Sequence, residues 1–438
     1  MKIAVIGVGY VGLVSGTCFS EFGHIVTCFD KDKKKIDDLN IGSIPIYEPG
    51  LEQLVERNRK AERLFFKHKI NSEIGNFEAI FITVGTPDRK TGGGADLSFL
   101  FEVVEEIRPF LHEEQVVIIK STVPIGTNRE IKKLLNTNSK SNFSVVSNPE
   151  FLREGSAIED FMRPDRVIVG LEDETQKKVL AEIYKPLYLR AFPIVYTDPE
   201  SAEITKYASN AFLATKISFI NEIALLCEKT GGNVQEVAKG MGLDRRIGNK
   251  FLHSGPGYGG SCFPKDTNAL VETGEKYGAP QRIVNTVIKV NEAVKERMID
   301  HITEALDHNL SDKVVAFFGV TFKPNTDDIR SAPSLTIIPK VINECSEVRI
   351  VDPQGKKYGQ KFFECAEWYS NPYLAAYNAD LLVILTEWNE FRAMDLSKLA
   401  AKMNVPRLVD LRNVYSMNEA KGAGFLKYVS IGRDRDNY

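Results

Sequence analysis

The chain has 438 residues, 43% hydrophobic and 26% charged, with a formal net charge of -3. That length fills two or three domains with their own cores, and the composition is that of an ordinary globular protein. The near-neutral balance offers no global basic field, so nucleic acid is not an expected partner. No apolar run approaches the ~18 residues that span a bilayer, so no membrane partner is expected either. Cys18, Cys28, Cys227, Cys262, Cys345 and Cys365 are scattered with no Cys-x-x-Cys pair, and the six histidines are equally dispersed. No metal site is expected, and the thiols fit a reducing, cytoplasmic compartment.

In chain order, Lys2–Gly7 reads as a buried strand rather than a signal peptide, because no cleavage pattern follows it. A helix follows to about Gly23, then a strand over Ile25–Asp30. Ala79–Val84, Val116–Lys120 and Val145–Ser147 continue and close the series. Strands apolar on both faces, alternating with helices, predict a doubly wound parallel sheet over residues 1–195. Residues 196–309 read as an all-helical middle domain. Its first element is one long helix over residues 200–229, free of Gly and Pro and stopped by Gly231-Gly232. A helix of that length suits a spine and a subunit contact, which predicts at least a homodimer. Residues 310–438 echo the first region. Val314–Val320, Val348–Asp352, Leu381–Leu385 and Leu408–Asp410 are its strands, and only Gly319 marks its first turn. The expected architecture is α/β, with two doubly wound Rossmann-like domains joined by the long helix and the helical middle domain; the second binds something other than a dinucleotide. Arg433–Tyr438 reads as a loose tail.

Gly7, Gly9 and Gly12 form a Gly-x-Gly-x-x-Gly turn between strand and helix. The first permits the tight turn, the second lets the backbone approach a pyrophosphate, and the third allows close helix–sheet packing. Asp30 ends the second strand, where a carboxylate accepts from a ribose 2′-hydroxyl and repels a 2′-phosphate. NAD is therefore favoured over NADP, although Lys31 and Lys33 could hold a phosphate.

A lone cysteine is usually a small core hydrophobe. Cys262, however, sits in Gly255-Pro-Gly-Tyr-Gly-Gly-Ser-Cys-Phe-Pro-Lys-Asp266, with Gly257, Gly259 and Gly260 before it and Lys265 and Asp266 behind. Glycines that dense favour close backbone approach to a ligand, and a nearby cation favours the thiolate. The residues thus leave two readings, nucleophile or structural cysteine, and favour the first. Lys206 and Asn210 share one face of the long helix, as an oxyanion-holding pair or as a solvated face. Glu150 and Glu154 follow the last strand of the first sheet, as bases or sugar-hydroxyl ligands or as helix-start acids.

With these pieces in place, the chain resembles the UDP-glucose 6-dehydrogenase family, within the nucleotide-sugar dehydrogenases that oxidise a primary alcohol to a carboxylate with two NAD. Seven ordered stretches carry the resemblance. They are Gly7–Gly12, Ser121–Pro124, Asn148–Gly155, Lys206–Phe212, Arg246–Leu252, Gly255–Asp266 and Phe322–Arg330. The resemblance implies that Cys262 captures the aldehyde, Lys206 and Asn210 stabilise oxyanions, and Asp266 assists proton transfer. It places Thr122 and Glu154 near the nicotinamide and the attacking water. It assigns NAD contacts to Gly7, Gly9, Tyr10, Val11, Gly12, Asp30, Lys35, Thr86, Thr122, Glu154, Lys265 and Arg330. It assigns the sugar nucleotide to Glu150, Phe151, Leu152, Arg153, Glu154, Lys206, Asn210, Arg246, Phe251, Leu252, His253, Ser254, Gly255, Gly259 and Lys323. In relatives an arginine matching Arg246 reaches the neighbouring subunit's sugar. The expected substrate is UDP-glucose. GDP-mannose is the nearer rival, because its dehydrogenases share the Gly-Ser-Cys-x-Pro-Lys-Asp run. A two-electron dehydrogenase with a structural Cys262, or a catalytically silent nucleotide-sugar-binding regulator, are the other readings. His253-Ser254 departs from the family, where Ala before Gly255 is more usual.

Overall fold

The computed structural model describes residues 1–87, 89, 94–137, 142–188 and 193–433. Arg433, expected to begin a loose tail, is instead held by the Tyr415 carbonyl at 3.1 Å and the Tyr428 hydroxyl at 3.2 Å; the rest of the expected tail, 434–438, lies outside the described residues. Two compact units divide the chain, residues 1–209 and 210–438.

The first unit is built on an eight-stranded sheet. Its strands are β1 (Lys2–Ile6), β2 (Ile25–Phe29), β3 (Leu64–Lys67), β4 (Ala79–Ile82), β5 (Val116–Ile119), β6 (Ser144–Ser147), β7 (Val167–Gly170) and β8 (Ile194–Thr197). Their order is β3-β2-β1-β4-β5-β6-β7-β8. All neighbours run parallel except β6 and β7, which meet antiparallel at Ser147 and Gly170. The alternation along β1 explains the two layers of helices. Ile3 and Val5 enter one buried cluster with Leu13, Phe19 and Phe161, and Ala4 and Ile6 enter another with Leu100, Ile131 and Leu135. A strand buried on both faces must be covered on both faces.

The expected series closed at Ser147, but the structure adds β7 and β8 and inserts β3. Leu64–Lys67 alternates buried and exposed, and Ile194–Thr197 is an edge strand with no fully buried residue. Neither has the continuous apolar run that revealed the central strands.

The second unit repeats the plan on β9 (Val314–Phe318), β10 (Glu347–Val351), β11 (Glu367–Tyr369), β12 (Leu381–Ile384), β13 (Arg407–Asp410) and β14 (Lys427–Ser430). The order β11-β10-β9-β12-β13-β14 matches the first six strands of the other sheet, and every pair is parallel. Val315 and Phe317 face one core and Ala316 and Phe318 the other. Gly319 takes φ +91° after β9, as Gly7 takes +99° after β1.

The long helix spans Pro199–Thr230, and the boundary between the two units falls inside it. It ends where Gly231 turns left-handed at φ +79° and Gly232 N–H donates to the Cys227 carbonyl at 3.0 Å, a Schellman closure. By length and composition alone this helix could cross a bilayer. Reading runs of purely apolar residues misses that, because polar residues interrupt the helix. Three of those interruptions, Glu203, Lys206 and Asn221, are buried at 3%, 4% and 0% exposed, and Glu203 and Lys206 are engaged by protein groups, as in a helix packed within a globular protein. Three further helices, Val234–Gly242, Phe263–Lys276 and Arg282–Ala305, complete the helical stretch.

Candidate active site

Within residues 1–209 the dinucleotide turn has the geometry that its three glycines require. A Cβ at Gly7 would lie 2.8 Å from the Val84 amide nitrogen, and one at Gly12 would lie 1.8 Å from the Gly7 carbonyl oxygen. A Cβ at Gly9 would meet nothing within 4 Å, so that side of the turn is open. The helix Tyr10–Glu21 starts there with no side chain capping it. Its first amides are free to receive a pyrophosphate, and the residues therefore fit NAD. Asp30 Oδ2 accepts from the Val8 amide at 2.8 Å and from Lys35 Nζ at 2.9 Å. The carboxylate thus braces the turn at the end of the second strand.

Glu48 was invisible as a functional residue in the sequence. It is 6% exposed and accepts from the Tyr10 hydroxyl and from the Gly155 and Ala157 amides, the last two at 2.6 and 2.7 Å. It ties the dinucleotide helix to the loop carrying Glu150–Glu154. Burial first, then the Glu48 carboxylate, raises the Tyr10 hydroxyl far above its ordinary range.

Lys206 Nζ donates to the Glu150 carbonyl at 2.6 Å and to Glu150 Oε1 at 3.1 Å, and lies 5.1 Å from the centre of the Phe151 ring. Glu150 turns its other oxygen to the Leu152 amide. Neither glutamate sits at the start of a helix, which removes the dipole reading for them. Arg153 is held by Asp160. Thr86 Oγ1 donates to the Thr122 carbonyl at 2.7 Å. Thr122, Ser147, Pro149, Glu203 and Lys206 line a cavity of about 10 Å³, room for one water.

Two buried ionisable groups, Glu203 in the cavity wall and Lys120, taken singly carried no signal of a site in the sequence. Lys120, 4% exposed, donates to Asn148 Oδ1 at 3.2 Å. Burial pulls its ammonium down to about 8, opposed by Glu150 and reinforced by Lys206. Glu203 accepts from the Gly126 and Asn128 amides at 2.7 and 2.9 Å. Burial outweighs those amides and pushes its carboxyl up to about 7. Its spacing of three residues before Lys206 and seven before Asn210 puts all three on one helix face, the signal that could have found it.

Glu203 has a consequence for stability. Its ordinary carboxyl pKa is 4.5. Between 4.5 and about 7 the folded protein holds a proton that the unfolded chain has released, so stability falls as pH rises through that window. Chemical denaturation at pH 5 and pH 8 should show a drop of up to ~3 kcal/mol at the higher pH. Glu203→Gln should flatten that slope, and an unchanged slope in the variant would contradict the assignment.

Within residues 210–438, Cys262 occupies the N-cap position of the 14-residue helix Phe263–Lys276, a setting that favours negative charge on sulfur. Asp266, one turn in, is 1% exposed. It accepts from Asn210 Nδ2 at 2.6 Å and pairs with Lys265 Nζ at 2.8 Å. The structure thus brings Cys262, Lys265, Asp266 and Asn210 into one cluster. Phe251 takes φ +62°, a strained value for an aromatic residue, and its ring lies 6.1 Å from that of Phe263. Leu252 is buried at 4% exposure, and Ser254 Oγ accepts from Asn413 Nδ2 at 3.1 Å. A Cβ at Gly259 would lie 2.4 Å from the Ser331 carbonyl oxygen. Arg330 makes two 2.8 Å bonds to Asp328, and Lys323 lies over Phe322. Arg246 points into solvent at 89% side-chain exposure, paired with Asp244, and His253 is also exposed. Those two are not drawn into the thiol cluster.

The second sheet repeats the acid at the end of its second strand. Asp352, the counterpart of Asp30, accepts from the Val320 and Thr321 amides at 2.7 and 3.1 Å and from those of Gln354 and Gly355 at 2.9 and 2.6 Å. Asp30 likewise accepts from the Val8 amide with one oxygen and from the Asp32 amide with the other, so the two carboxylates brace their turns in the same way.

A glycine turn open to pyrophosphate, and a helix-capping thiol backed by a buried acid and amide, define a nucleotide-dependent dehydrogenase. Comparison with known proteins gives the family. Residues 1–188 match the NAD binding domain of the UDP-glucose/GDP-mannose dehydrogenase family, 200–293 its central domain, and 316–417 its UDP binding domain. UDP-glucose 6-dehydrogenase of Rhizobium meliloti (strain 1021) is 50% identical over 436 residues, 99% of this chain and 100% of that one. A UDP-glucose 6-dehydrogenase of Bacillus subtilis (strain 168) is 45% identical over 435 residues, 99% of this chain and 93% of that one. Among solved structures, a UDP-glucose dehydrogenase from the archaeon Pyrobaculum islandicum superposes with a TM-score of 0.87 at 34% identity, covering 98% of this chain and 96% of that one. The chain belongs to the UDP-glucose/GDP-mannose dehydrogenase family and is an NAD-dependent dehydrogenase.

Proposed function

We propose that this enzyme oxidises C6 of UDP-glucose to the carboxylate of UDP-glucuronate in two successive two-electron steps. The observation that carries the reading is the near-complete, 50% identical match to a UDP-glucose 6-dehydrogenase. The division of labour is residues 1–195 for NAD, 196–309 for the thiol and spine, and 310–438 for UDP. When bound, NAD would supply the hydride acceptor for each of the two steps.

The chain's own residues do the rest. Lys206 and Asn210 hold the C6 oxygen, and a cation and an amide donor aimed at a developing alkoxide lower its energy. Asp266, fixed by Asn210 and Lys265, takes the proton that the alcohol loses, through water. The Cys262 thiolate adds to the aldehyde carbon, forming a C–S bond and a thiohemiacetal that keeps the aldehyde from leaving. After the second hydride departs, a thioester remains. Water, with Glu154 as base, breaks the C–S bond and returns the thiolate. The sum is one alcohol, two NAD⁺ and one water giving one carboxylate, two NADH and three protons. A panel of UDP-glucose, UDP-galactose, GDP-mannose and UDP-N-acetyl sugars, read by NADH formation, tests the substrate. Turnover confined to UDP-glucose is expected, and preference for GDP-mannose would overturn the choice.

Asp30→Ala should weaken NAD binding on the order of tenfold, with the lost contact at the adenosine ribose and at the Val8 amide it braces. Unaltered NAD affinity by calorimetry would count against that placement.

A homodimer completes the reading. Phe219 and Ile283 are 45% and 71% exposed at a groove shared by Pro199–Thr230 and Arg282–Ala305. Apolar side chains gathered there suit a second copy. Sedimentation should give a dimer or larger that Phe219→Glu with Ile283→Glu dissociates; a wild-type monomer would contradict it. All six cysteines are free thiols, which supports a cytoplasmic setting.

A further inference from the structure

Gly255–Ser261 forms no helix or strand, so its backbone must be held by something else. Two buried asparagines hold it. Asn221, on Pro199–Thr230 and 0% exposed, accepts from the Gly255 amide with Oδ1 at 2.9 Å. Asn291, on Arg282–Ala305 and 2% exposed, meets Tyr258 twice. Its Oδ1 accepts from the Tyr258 amide at 2.8 Å, and its Nδ2 donates to the Tyr258 carbonyl at 3.1 Å. One side-chain amide thereby satisfies both backbone groups of one residue, as a neighbouring strand would.

The glycine between the two anchors has a role in this. Gly257 takes φ +102°, and a Cβ there would lie 2.8 Å from Asn291 Oδ1, so any side chain would push the asparagine away. On the far side the Gly260 amide donates to the Arg330 carbonyl at 2.8 Å. Two residues later Cys262 begins its helix. The backbone approaching the thiol is therefore pinned at 255, 258 and 260.

We propose that Asn221 and Asn291 are positioning residues with separate duties. Asn221 sets the Phe251–Gly255 segment against the sugar nucleotide, and Asn291 sets the sulfur of Cys262. The inference rests on the function proposed above. It follows because Tyr258 is 6% exposed, so losing Asn291 strands a buried amide and carbonyl that must move to find partners. Movement of about 1 Å at a nucleophile lowers the rate on the order of 10- to 100-fold.

The test is a split between KM and kcat, which a general loss of folded protein cannot produce. Asn291→Ala should lower kcat on the order of 10- to 100-fold while KM for UDP-glucose stays within about threefold. Asn221→Ala should raise KM for UDP-glucose on the order of tenfold with kcat within about threefold. NAD affinity, set chiefly by the glycine turn and Asp30, should be little changed in both. If Asn291→Ala does not fold, Asn291→Asp serves, since it keeps the acceptor for the Tyr258 amide and replaces the donor with an oxygen that repels the Tyr258 carbonyl, and the same kcat loss is expected. Wild-type kinetics in both variants, or the same loss of kcat with unchanged KM in both, would overturn the inference. Cys262→Ser, assayed alongside, separates the two levels. Acid production by Cys262→Ser sinks the proposed function itself. An inert Cys262→Ser beside unaffected asparagine variants sinks only the positioning roles.

Discussion

Cys262→Ser is expected to abolish acid formation, by on the order of 10³-fold or more, while NAD binds as before. The reason is the second oxidation. A free aldehyde has no hydride donor carbon of the right kind until a nucleophile adds to it. The hydroxyl of serine is far less ionised than a thiol, and it is a poorer leaving group when water attacks the resulting ester. The N-cap position of Cys262, with a buried acid one turn behind, is suited to a thiolate that must form, bond and be expelled. NAD affinity should survive because the substitution leaves the glycine turn, Asp30, Lys35, Lys265 and Arg330 in place. Calorimetric NAD binding together with chromatographic product analysis checks both halves. Unchanged acid production would refute the nucleophile.

Lys206→Met should have the next largest effect, a loss in kcat on the order of 10²- to 10³-fold. Methionine fills much the same volume but offers no donor. The ammonium of Lys206 is 4% exposed and makes bonds to both the carbonyl and the carboxylate of Glu150. Removing it leaves Glu150 as a buried acid without its closest cation, a change that by itself destabilises a fold by about 3–5 kcal/mol. Lys120 moderates that loss. Its ammonium already feels Glu150 and is held down partly by Lys206, so losing Lys206 raises Lys120 toward full charge and supplies a partial replacement. The expected outcome is a folded protein with reduced melting temperature and near-absent turnover. Lys206→Arg should recover stability without recovering rate, because a planar fork does not place one donor where the ammonium was. Full turnover in Lys206→Met would contradict the oxyanion role.

The central strands and the dinucleotide turn were legible because their physics is local. Ile3–Ile6 and Val315–Phe318 are apolar on both faces, and Gly7, Gly9 and Gly12 each answer a steric demand within a few residues. The long helix was legible because nothing in residues 200–229 breaks it. What escaped depends on distant partners. Leu64–Lys67 and Ile194–Thr197 become strands only by joining an existing edge. Glu48 looks like an acid in a turn until Tyr10 and the Gly155 amide meet it. Asn291 looks like a polar residue on a solvated helix until Tyr258 is laid against it. Arg246 was assigned to a neighbouring subunit's sugar by resemblance alone; within one chain it is exposed and paired with Asp244, as a residue that reaches across to another copy would be.

The most direct measurement is the ratio of NADH formed to UDP-glucose consumed at completion, with the sugar nucleotide limiting. Two NADH per UDP-glucose, with a carboxylate product and no released aldehyde, is the predicted result. One NADH per sugar would mean that oxidation stops after a single hydride and that Cys262 never bonds to carbon.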